Sequence, residues 1–126
     1  MNPKKIENIL RMSDQERSDY LIRKVADFEE IYLIYESMDA MCSISVSGQE
    51  CIPVFPEREF ADNFKNISPK YKKVKILPLN TFFEWLDKHS SGEMQFAVFP
   101  DNKLNAAIVS ASDLKDSLLE ECEQYE

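Results

Sequence analysis

Three short apolar segments of this sequence each end in a proline, and these prolines, Pro56, Pro78 and Pro100, follow one another at intervals of 22 residues. Each segment is rich in β-branched and aromatic residues, as strands are. The segments are 52–56, 74–78 and 96–100, and helical patterns follow the first two. Two strands that are connected by a helix normally lie parallel to each other in a sheet. The spacing therefore predicts three parallel strands that end at one edge of a sheet.

The edge where these strands end is one candidate site. Proline ends a strand and starts a helix at its first turn, which by itself accounts for the pattern. Open α/β sheets also bind ligands in a crevice outside the carboxyl ends of their parallel strands. On the second interpretation, five residues form the rim of a binding crevice: Phe55, Pro56, Phe99, Pro100 and Asp101.

The whole pattern predicts an α+β fold with a mixed sheet of about six strands and flanking helices. We expect a single domain over residues 1–126, in which a helical extension, 1–12, precedes a core of 13–126. A capping box at Ser13 and Glu16 opens the second helix. The spacing in that helix directs Tyr20, Leu21, Val25 and Phe28 to the core. The run 31–35 is apolar on both faces, which indicates a central strand.

Two hairpins are expected. In the first, Gly48 and Gln49 form the turn, and the predicted pairs are Val46 with Cys51, Ile44 with Pro53 and Cys42 with Phe55. In the second, a turn at 101–103 joins the strand that ends at Pro100 to a strand over 104–109, and a terminal helix follows. Between the hairpins, the helix after Pro78 is expected to end near His89 and Gly92.

That helix also carries a candidate contact surface. Trp85 is flanked by Phe82, Phe83 and Leu86, so apolar side chains cover more than one helical face. We expect Phe82 and Leu86 in the core. At least one of Phe83 and Trp85 is expected at a protein contact, since tryptophan is enriched in interface hot spots.

The charge of the chain excludes some classes of partner. It has 15 basic and 23 acidic residues and a net charge of -8, which repels nucleic acid and anionic membranes. Its three cysteines lack the C-x-x-C spacing of metal or redox pairs, so we expect reduced thiols and a cytoplasmic location. No apolar stretch is long enough to span a membrane.

The sequence contains no motif that assigns a reaction. His89 is the only histidine, and with two glycines the chain lacks the phosphate-binding and nucleophile motifs of common enzymes. We therefore predict no catalytic residue, no metal ligand and no cofactor. The carboxylates of Asp27, Glu29 and Glu30 lie close together in the sequence, as a general acid and base would. An acidic surface also produces such clusters by chance. The basic cluster 70–73 is either a solvated loop or a contact for an acidic partner.

Three functions remain open at this point. The first is a non-catalytic interaction module, an adaptor or immunity-like protein whose acidic face docks on a basic partner. The second is a small-ligand binder or enzyme that uses the crevice, with Asp101 or the carboxylates near Asp27 as its polar groups. The third is a homodimer formed through a strand edge or through the Trp85 helix.

Four blocks of the sequence, in this order, resemble the bacterial family called domain of unknown function 2750: residues 20–30, 52–56, 82–86 and 97–100. The resemblance runs from about Ser13 to Leu118. The order of strands and helices is also similar, more distantly, to the amino-terminal domain of SseB-type proteins. The resemblance implies a fold and a bacterial source, and it supplies no catalytic assignment.

Overall fold

The computed structural model describes residues 2–37, 40–88 and 94–125, in which helices precede, separate and follow the strands. The first half contains α1 (Pro3–Leu10), α2 (Asp14–Phe28), β1 (Glu30–Tyr35), β2 (Ile44–Val46), β3 (Gln49–Val54) and α3 (Arg58–Lys65). The second half contains β4 (Lys73–Pro78), α4 (Leu79–Lys88), β5 (Gln95–Val98), β6 (Ala107–Ser110) and α5 (Ala111–Cys122), which ends in a 3₁₀ turn (Glu123–Tyr125). The predicted α+β fold with six strands is confirmed. His89 and Gly92 lie outside the described residues.

Local sequence signals begin the helices where they were expected. The hydroxyl of Ser13 accepts from the amide of Glu16, and the amide of Ser13 donates to the Glu16 carboxylate, both at 3.1 Å. This reciprocal capping box starts α2. Ser110 starts α5 by accepting from the amide of Asp113 at 3.1 Å. These caps satisfy backbone amides in the first turn of each helix.

The strands of the described residues form a four-stranded mixed sheet and a two-stranded antiparallel sheet. Strands β2, β3, β5 and β6 are hydrogen-bonded in that order, with β3 parallel to β5 and the other pairs antiparallel. Strand β1 is antiparallel to β4 and meets the end of β3 at Tyr32 and Phe55. There the amide of Phe55 donates to the Tyr32 carbonyl at 2.9 Å, and the reverse bond is 3.1 Å long. Strand β1 therefore has β4 along one side and a single bridge to Phe55 on the other, so it lies between β4 and β3 and joins the two sheets, and is not a central strand of the mixed sheet.

The predicted arrangement of the three proline-ended strands was wrong for one strand, β4. Strand β4 does not lie beside β3, because β1 is inserted between them. Since β1 is antiparallel to both, β4 still runs in the same direction as β3 and β5. The pairing of Glu30 with Pro78 sets the end of β4 close to the level where β3 and β5 end. The three strands therefore finish at a common edge, which we call the strand-end edge.

The predicted register of the first hairpin was wrong by two residues. Ser47 and Gly48, not Gly48 and Gln49, form the turn, with φ of 50° and 81°. Positive φ at both positions is the geometry of a tight hairpin turn, and Ser47 adopts it without being glycine. Val46 consequently pairs with Gln49, and Ile44 pairs with Cys51. A shift of two residues preserves the face of each side chain, so Ile44, Val46 and Cys51 are buried as expected.

Two further expectations about the ends of elements need correction. Phe28 was expected in the core, but its side chain is 58% exposed. It is the last residue of α2, and Glu29 then turns the chain with a φ of 57°. The last strand was expected over 104–109, but β6 begins only at Ala107. Hydrogen bonds within the preceding loop keep residues 101–105 out of the sheet.

Aromatic rings form the core at the strand-end edge. The rings of Phe60 and Phe99 lie 4.8 Å apart, and those of Phe55 and Phe64 lie 5.2 Å apart. Because Phe60 and Phe64 come from α3, this helix covers the ends of β3 and β5. Helix α5 packs between α2 and α4, and Phe82 of α4 meets Phe96 of β5 at 6.0 Å.

Candidate functional site

The strand-end edge, where the sequence predicts a crevice, is filled by side chains of the chain itself. Phe55 and Phe99 have no exposed surface, and Pro56 and Pro100 are also buried. Tyr20 of α2 packs against this edge, and the centre of its ring lies 5.8 Å from that of the Phe99 ring. Four of the five predicted rim residues are therefore core residues in this structure. That they take part in ligand binding stays a prediction.

Asp101, the fifth predicted residue, organises the loop between β5 and β6. One of its carboxylate oxygens accepts from the amides of Lys103 and Asn105, both at 2.9 Å. The other accepts from the side-chain amide of Asn105 at 3.2 Å. The backbone amide of Asp101 also donates to the Asn105 carbonyl at 3.0 Å. These bonds engage both carboxylate oxygens in holding the loop.

Arg17 joins this loop to α2, a role that the sequence analysis missed. Its side chain is 2% exposed. Nε donates to the Phe99 carbonyl at 2.9 Å, and Nη2 donates to the Asn105 carbonyl at 2.8 Å. Nη1 donates to the carbonyl of Met12, and Nη2 lies 2.5 Å from the Asp14 carboxylate. One guanidinium thus satisfies three backbone carbonyls, which explains how a charge is tolerated at this depth.

A signal for Arg17 was present in the sequence. Arg17 stands four residues before Leu21 on the apolar stripe of α2, where a solvated charge is out of place. A charged residue at a core position indicates a buried hydrogen-bond network.

The first concavity is a groove between α1 and the β5–β6 loop, which we call the α1 groove. Its volume is about 640 Å³. Helix α1 contributes an apolar wall with Ile6 and Leu10, and the loop contributes a polar wall with Asp101, Asn102 and Lys103. The groove lies beyond the end of β5 and therefore next to the predicted crevice. A groove with one apolar wall and one polar wall suits a small ligand that has both apolar and polar groups.

A second groove runs between α2 and α5 and has a volume of about 440 Å³. Ile22 and Leu114 are among its apolar lining residues. Its charged lining residues are Asp19, Arg23, Glu120 and Glu121.

The third concavity lies between α4 and α5, and we call it the α4–α5 cleft. Its volume is about 390 Å³, and its lining consists of Glu29, Pro78, Leu79, Asn80, Phe83, Leu119 and Cys122. Leu119 is 41% exposed, and the exposed Phe28 directly precedes Glu29. Large apolar surface therefore remains open to solvent on this side of the molecule.

The two residues predicted for a partner contact have different surroundings. Phe83 lines the α4–α5 cleft. Trp85 packs inward instead, with its ring stacked 6.1 Å from Phe82 and 5.9 Å edge-on from Phe96. Both side chains are half-buried. Phe83 is thus the better placed of the two for a contact, and a partner contact at either residue stays a prediction.

The carboxylates near Asp27 do not meet Asp101. Asp27 is exposed, and the Glu30 carboxylate accepts from the Tyr32 hydroxyl at 3.2 Å. Glu29 lines the α4–α5 cleft, whereas Asp101 lines the α1 groove. The two candidate sources of polar chemistry therefore belong to separate concavities.

Several hydroxyl and thiol groups are held in their neutral forms. Burial, followed by a hydrogen bond to the Glu57 carboxylate, raises the pKa of Tyr20. Burial and the nearby charge of Glu36 raise the pKa of Cys42 to about 11. Burial and the contact with Cys42 raise the pKa of Tyr71 to about 12. A thiol with such a pKa is protonated near neutral pH and is a poor nucleophile.

The described residues contain neither a metal-binding cluster nor a membrane-spanning helix. Within 2–37, 40–88 and 94–125, no three histidine, cysteine, aspartate or glutamate side chains are grouped so as to hold a metal ion. In the same ranges, no helix has the length and apolar character needed to cross a membrane.

Comparison with known proteins gives one match. Neither the curated proteins nor the solved structures contain a match to this chain. The more distant likeness to the SseB-type domain stays a prediction. A family model described as "Protein of unknown function (DUF2750)" matches residues 18–118, from the first turns of α2 into α5. This span includes all six strands and α4, and it ends just before Leu119 and Cys122, which form the α5 wall of the α4–α5 cleft. The chain therefore belongs to the DUF2750 family.

Proposed function

We propose that this protein is a non-catalytic interaction module that binds a basic, amphipathic segment of a protein partner at the α4–α5 cleft. The observation that carries the proposal is the exposed apolar surface at Phe83 and Leu119, which no described side chain covers completely. An apolar centre with a polar rim is the usual composition of a protein interface. The same features suit an adaptor or immunity-like role.

The rim of the cleft favours a basic partner. Glu29 lines the cleft, Asp116 lies one helical turn before Leu119 on the same side of α5, and Glu123 begins the 3₁₀ turn four residues after Leu119. Lys115, the one basic residue of α5, lies 2.5 Å from the Asp87 carboxylate. Unbalanced negative charge therefore surrounds the apolar centre, which accelerates association with a basic surface and selects for it.

A labelled model peptide tests this proposal. The probe is a fluorescein-labelled helical peptide with leucines on one face and lysines on the other, and its binding is followed by fluorescence anisotropy. We expect Leu119→Ser to weaken binding about tenfold by removing an apolar anchor. Glu123→Lys is expected to weaken binding and to reduce its salt dependence.

Matched variants at other exposed positions serve as controls. Ile67→Ser removes an apolar side chain that is exposed to a similar degree, and Glu59→Lys makes the same change of charge on α3. Both controls should bind the peptide as the parent protein does. Equal losses in the cleft variants and the controls would show that the peptide binds by charge alone and would overturn the proposal.

A second candidate function is the binding of a small ligand in the α1 groove. It is favoured by the volume of about 640 Å³ and by the polar wall at Asp101, Asn102 and Lys103, just beyond the end of β5. A thermal-shift screen against metabolites and nucleotides tests it, because a ligand at a hundred times its Kd stabilises the folded state by about 2.7 kcal/mol. A shift that Lys103→Ala abolishes would support this function, whereas a flat screen would remove it.

The partner and the location are part of the proposal. Another copy of the chain is the alternative occupant of the cleft, and light scattering distinguishes it by mass. A cytoplasmic location is supported by Cys42, Cys51 and Cys122, which take part in no disulfide.

A further inference from the structure

We propose that the outer edge of β4 binds an extended acidic segment of a protein partner. The segment would add to the sheet as a strand beside β4 and set alternate carboxylates against Lys73 and Lys75. The charged positions of this site, Lys73 and Lys75, do not line the α4–α5 cleft, which β4 reaches only at Pro78, and the site takes a partner of the opposite charge.

The charge of the chain is divided unevenly, and β4 lies in its basic part. Five of the 15 basic residues fall within residues 65–75, where there is no acidic residue. They are Lys65, Lys70, Lys72, Lys73 and Lys75. In a protein with a net charge of -8, this stretch is a local reversal of sign. An acidic segment would be attracted here and repelled elsewhere.

The backbone of β4 is available for strand addition. In the part of the chain that the structure describes, β4 pairs with β1 along one side and with no strand along the other. Strand β4 has six residues, which corresponds to a length of about 20 Å. The amide and carbonyl groups along a free edge can form hydrogen bonds with an added strand of any sequence. The side chains of the two strands then determine which sequences bind.

The register of β4 explains why the added strand should carry alternating charge. Lys73 pairs with Tyr35 and Lys75 pairs with Leu33, so both lysines project from the same face of the strand. Lysines on an edge discourage the pairing of two copies, because like charges would meet. Opposite charges across a strand pair stabilise it. An acidic residue at every second position fits this edge.

Neighbouring aromatic rings hold the lysines in place. Nζ of Lys75 lies 4.8 Å from the centre of the Tyr35 ring, and Nζ of Lys70 lies 5.3 Å from that of Tyr71. Lys70 also lies 3.7 Å from the Glu36 carboxylate. No described carboxylate forms an ion pair with Lys73 or Lys75. The charge of Lys75 is therefore positioned by a ring, and neither lysine is neutralised by a described carboxylate.

An acidic protein segment fits better than nucleic acid. The phosphates of a nucleic acid continue in both directions beyond a binding site, and here they would meet the acidic remainder of the chain. A peptide strand matched to the length of β4 ends before that happens. Ile76, on the other face of β4 and directly after Lys75, is 40% exposed and offers an apolar contact next to the charged positions.

The test uses a fluorescein-labelled peptide in which glutamate and valine alternate, with fluorescence anisotropy as the readout. The parent protein is expected to bind it, and K73E/K75E should bind about tenfold more weakly or worse. K4E/K5E makes the same change of charge on exposed residues of α1 and should bind like the parent. Equal losses in both variants would overturn the proposal.

Two comparison probes test the mode and the class of partner. A peptide of the same composition, with its glutamates in one block, is expected to bind more weakly than the alternating peptide; equal binding would contradict strand addition. An oligothymidylate of similar length is expected to bind more weakly still, and tighter binding would overturn the choice of a protein partner.

A measurement on the parent protein covers the case in which K73E/K75E does not fold. Amide hydrogen exchange with and without the alternating peptide should show added protection along β4. Protection that is absent from β4, or present only in other elements, would contradict the proposal. Because this probe is acidic and the cleft probe is basic, the two proposals can fail independently.

Discussion

The strand-end edge and the α4–α5 cleft are built from the same kinds of residue but differ in how completely they are covered. At the strand-end edge, Phe55 and Phe99 are enclosed by the rings of α3 and by Tyr20. At the cleft, Phe83 and Leu119 have partners on one side only and remain partly exposed. Aromatic content alone therefore does not identify a binding surface. What matters is whether a further element of the chain packs over it.

Arg17 accounts for much of this difference. It draws the first turn of α2 onto the end of β5 by bonding the carbonyls of Phe99 and Asn105. In the described residues that line the α4–α5 cleft, no buried side chain makes a comparable link between elements. The strand-end edge is consequently the more closely linked of the two regions, and the cleft is the region that we propose as the binding surface.

The largest expected effect comes from opening the strand-end edge. Phe99→Ala should lower the free energy of unfolding by about 4 kcal/mol, because it leaves a cavity among buried rings. Phe83→Ala should cost about 1 kcal/mol or less, since that side chain is already in contact with solvent. Chemical denaturation of both variants gives the comparison. Similar losses would mean that the two regions are equally well packed and would remove the distinction.

Removal of the guanidinium at Arg17 is expected to have the next largest effect. Arg17→Met keeps much of the side-chain volume but leaves the carbonyls of Met12, Phe99 and Asn105 without their donor. We expect a loss of about 3 kcal/mol, measured by the same denaturation experiment. Arg23→Met, at an exposed position of α2, is the control and should change stability by less than about 0.5 kcal/mol. A loss no larger than that of the control would show that Arg17 does not hold the edge closed.

The elements that could be predicted from the sequence are those with strong local signals. The capping box at Ser13 and the alternation at Ile44 and Val46 located α2 and β2, because hydrogen-bond chemistry and side-chain period act over a few residues. The common direction of the proline-ended strands followed from connection rules. The insertion of β1 next to β4 did not, because strand order depends on contacts between distant segments.

The site was less predictable than the fold, for a physical reason. The pattern at Phe55 and Phe99 marks apolar residues, but the ring packing of Phe60 and Tyr20 that covers them is a tertiary property. In the same way, Phe28 reads as a core residue by its period and is exposed because α2 ends there. Phe83 was named as one of two alternatives, and only the packing of Trp85 against Phe96 separates them.

A smaller effect is expected from polar substitution within the cleft. Leu119→Ser should lower the free energy of unfolding by about 1 kcal/mol or less, because the side chain is only partly buried. It should also reduce the fluorescence of an anilinonaphthalene sulfonate dye, which binds exposed apolar surface. Ile67→Ser is the control for general surface apolarity. Undiminished dye fluorescence in Leu119→Ser, or an equal reduction in the control, would contradict an open apolar cleft.

The last prediction concerns the pH dependence of the free energy of unfolding and tests how completely the strand-end edge is closed to solvent. Burial raises the pKa of Tyr20 above its usual value of 10, so the folded state holds the phenolic proton more tightly than the unfolded state does. The resulting stabilisation is complete below pH 10 and is lost as the pH rises from there towards the folded-state pKa. Tyr20→Phe removes this contribution, so its free energy of unfolding should fall less steeply above pH 10 than that of the parent. Denaturation curves at a series of alkaline pH values check this, with Tyr71→Phe as a comparison, since burial and the contact with Cys42 raise the pKa of Tyr71 to about 12. Parallel profiles for the parent and Tyr20→Phe would mean that solvent reaches the phenol in the folded state, and that the edge is more open than its packing indicates.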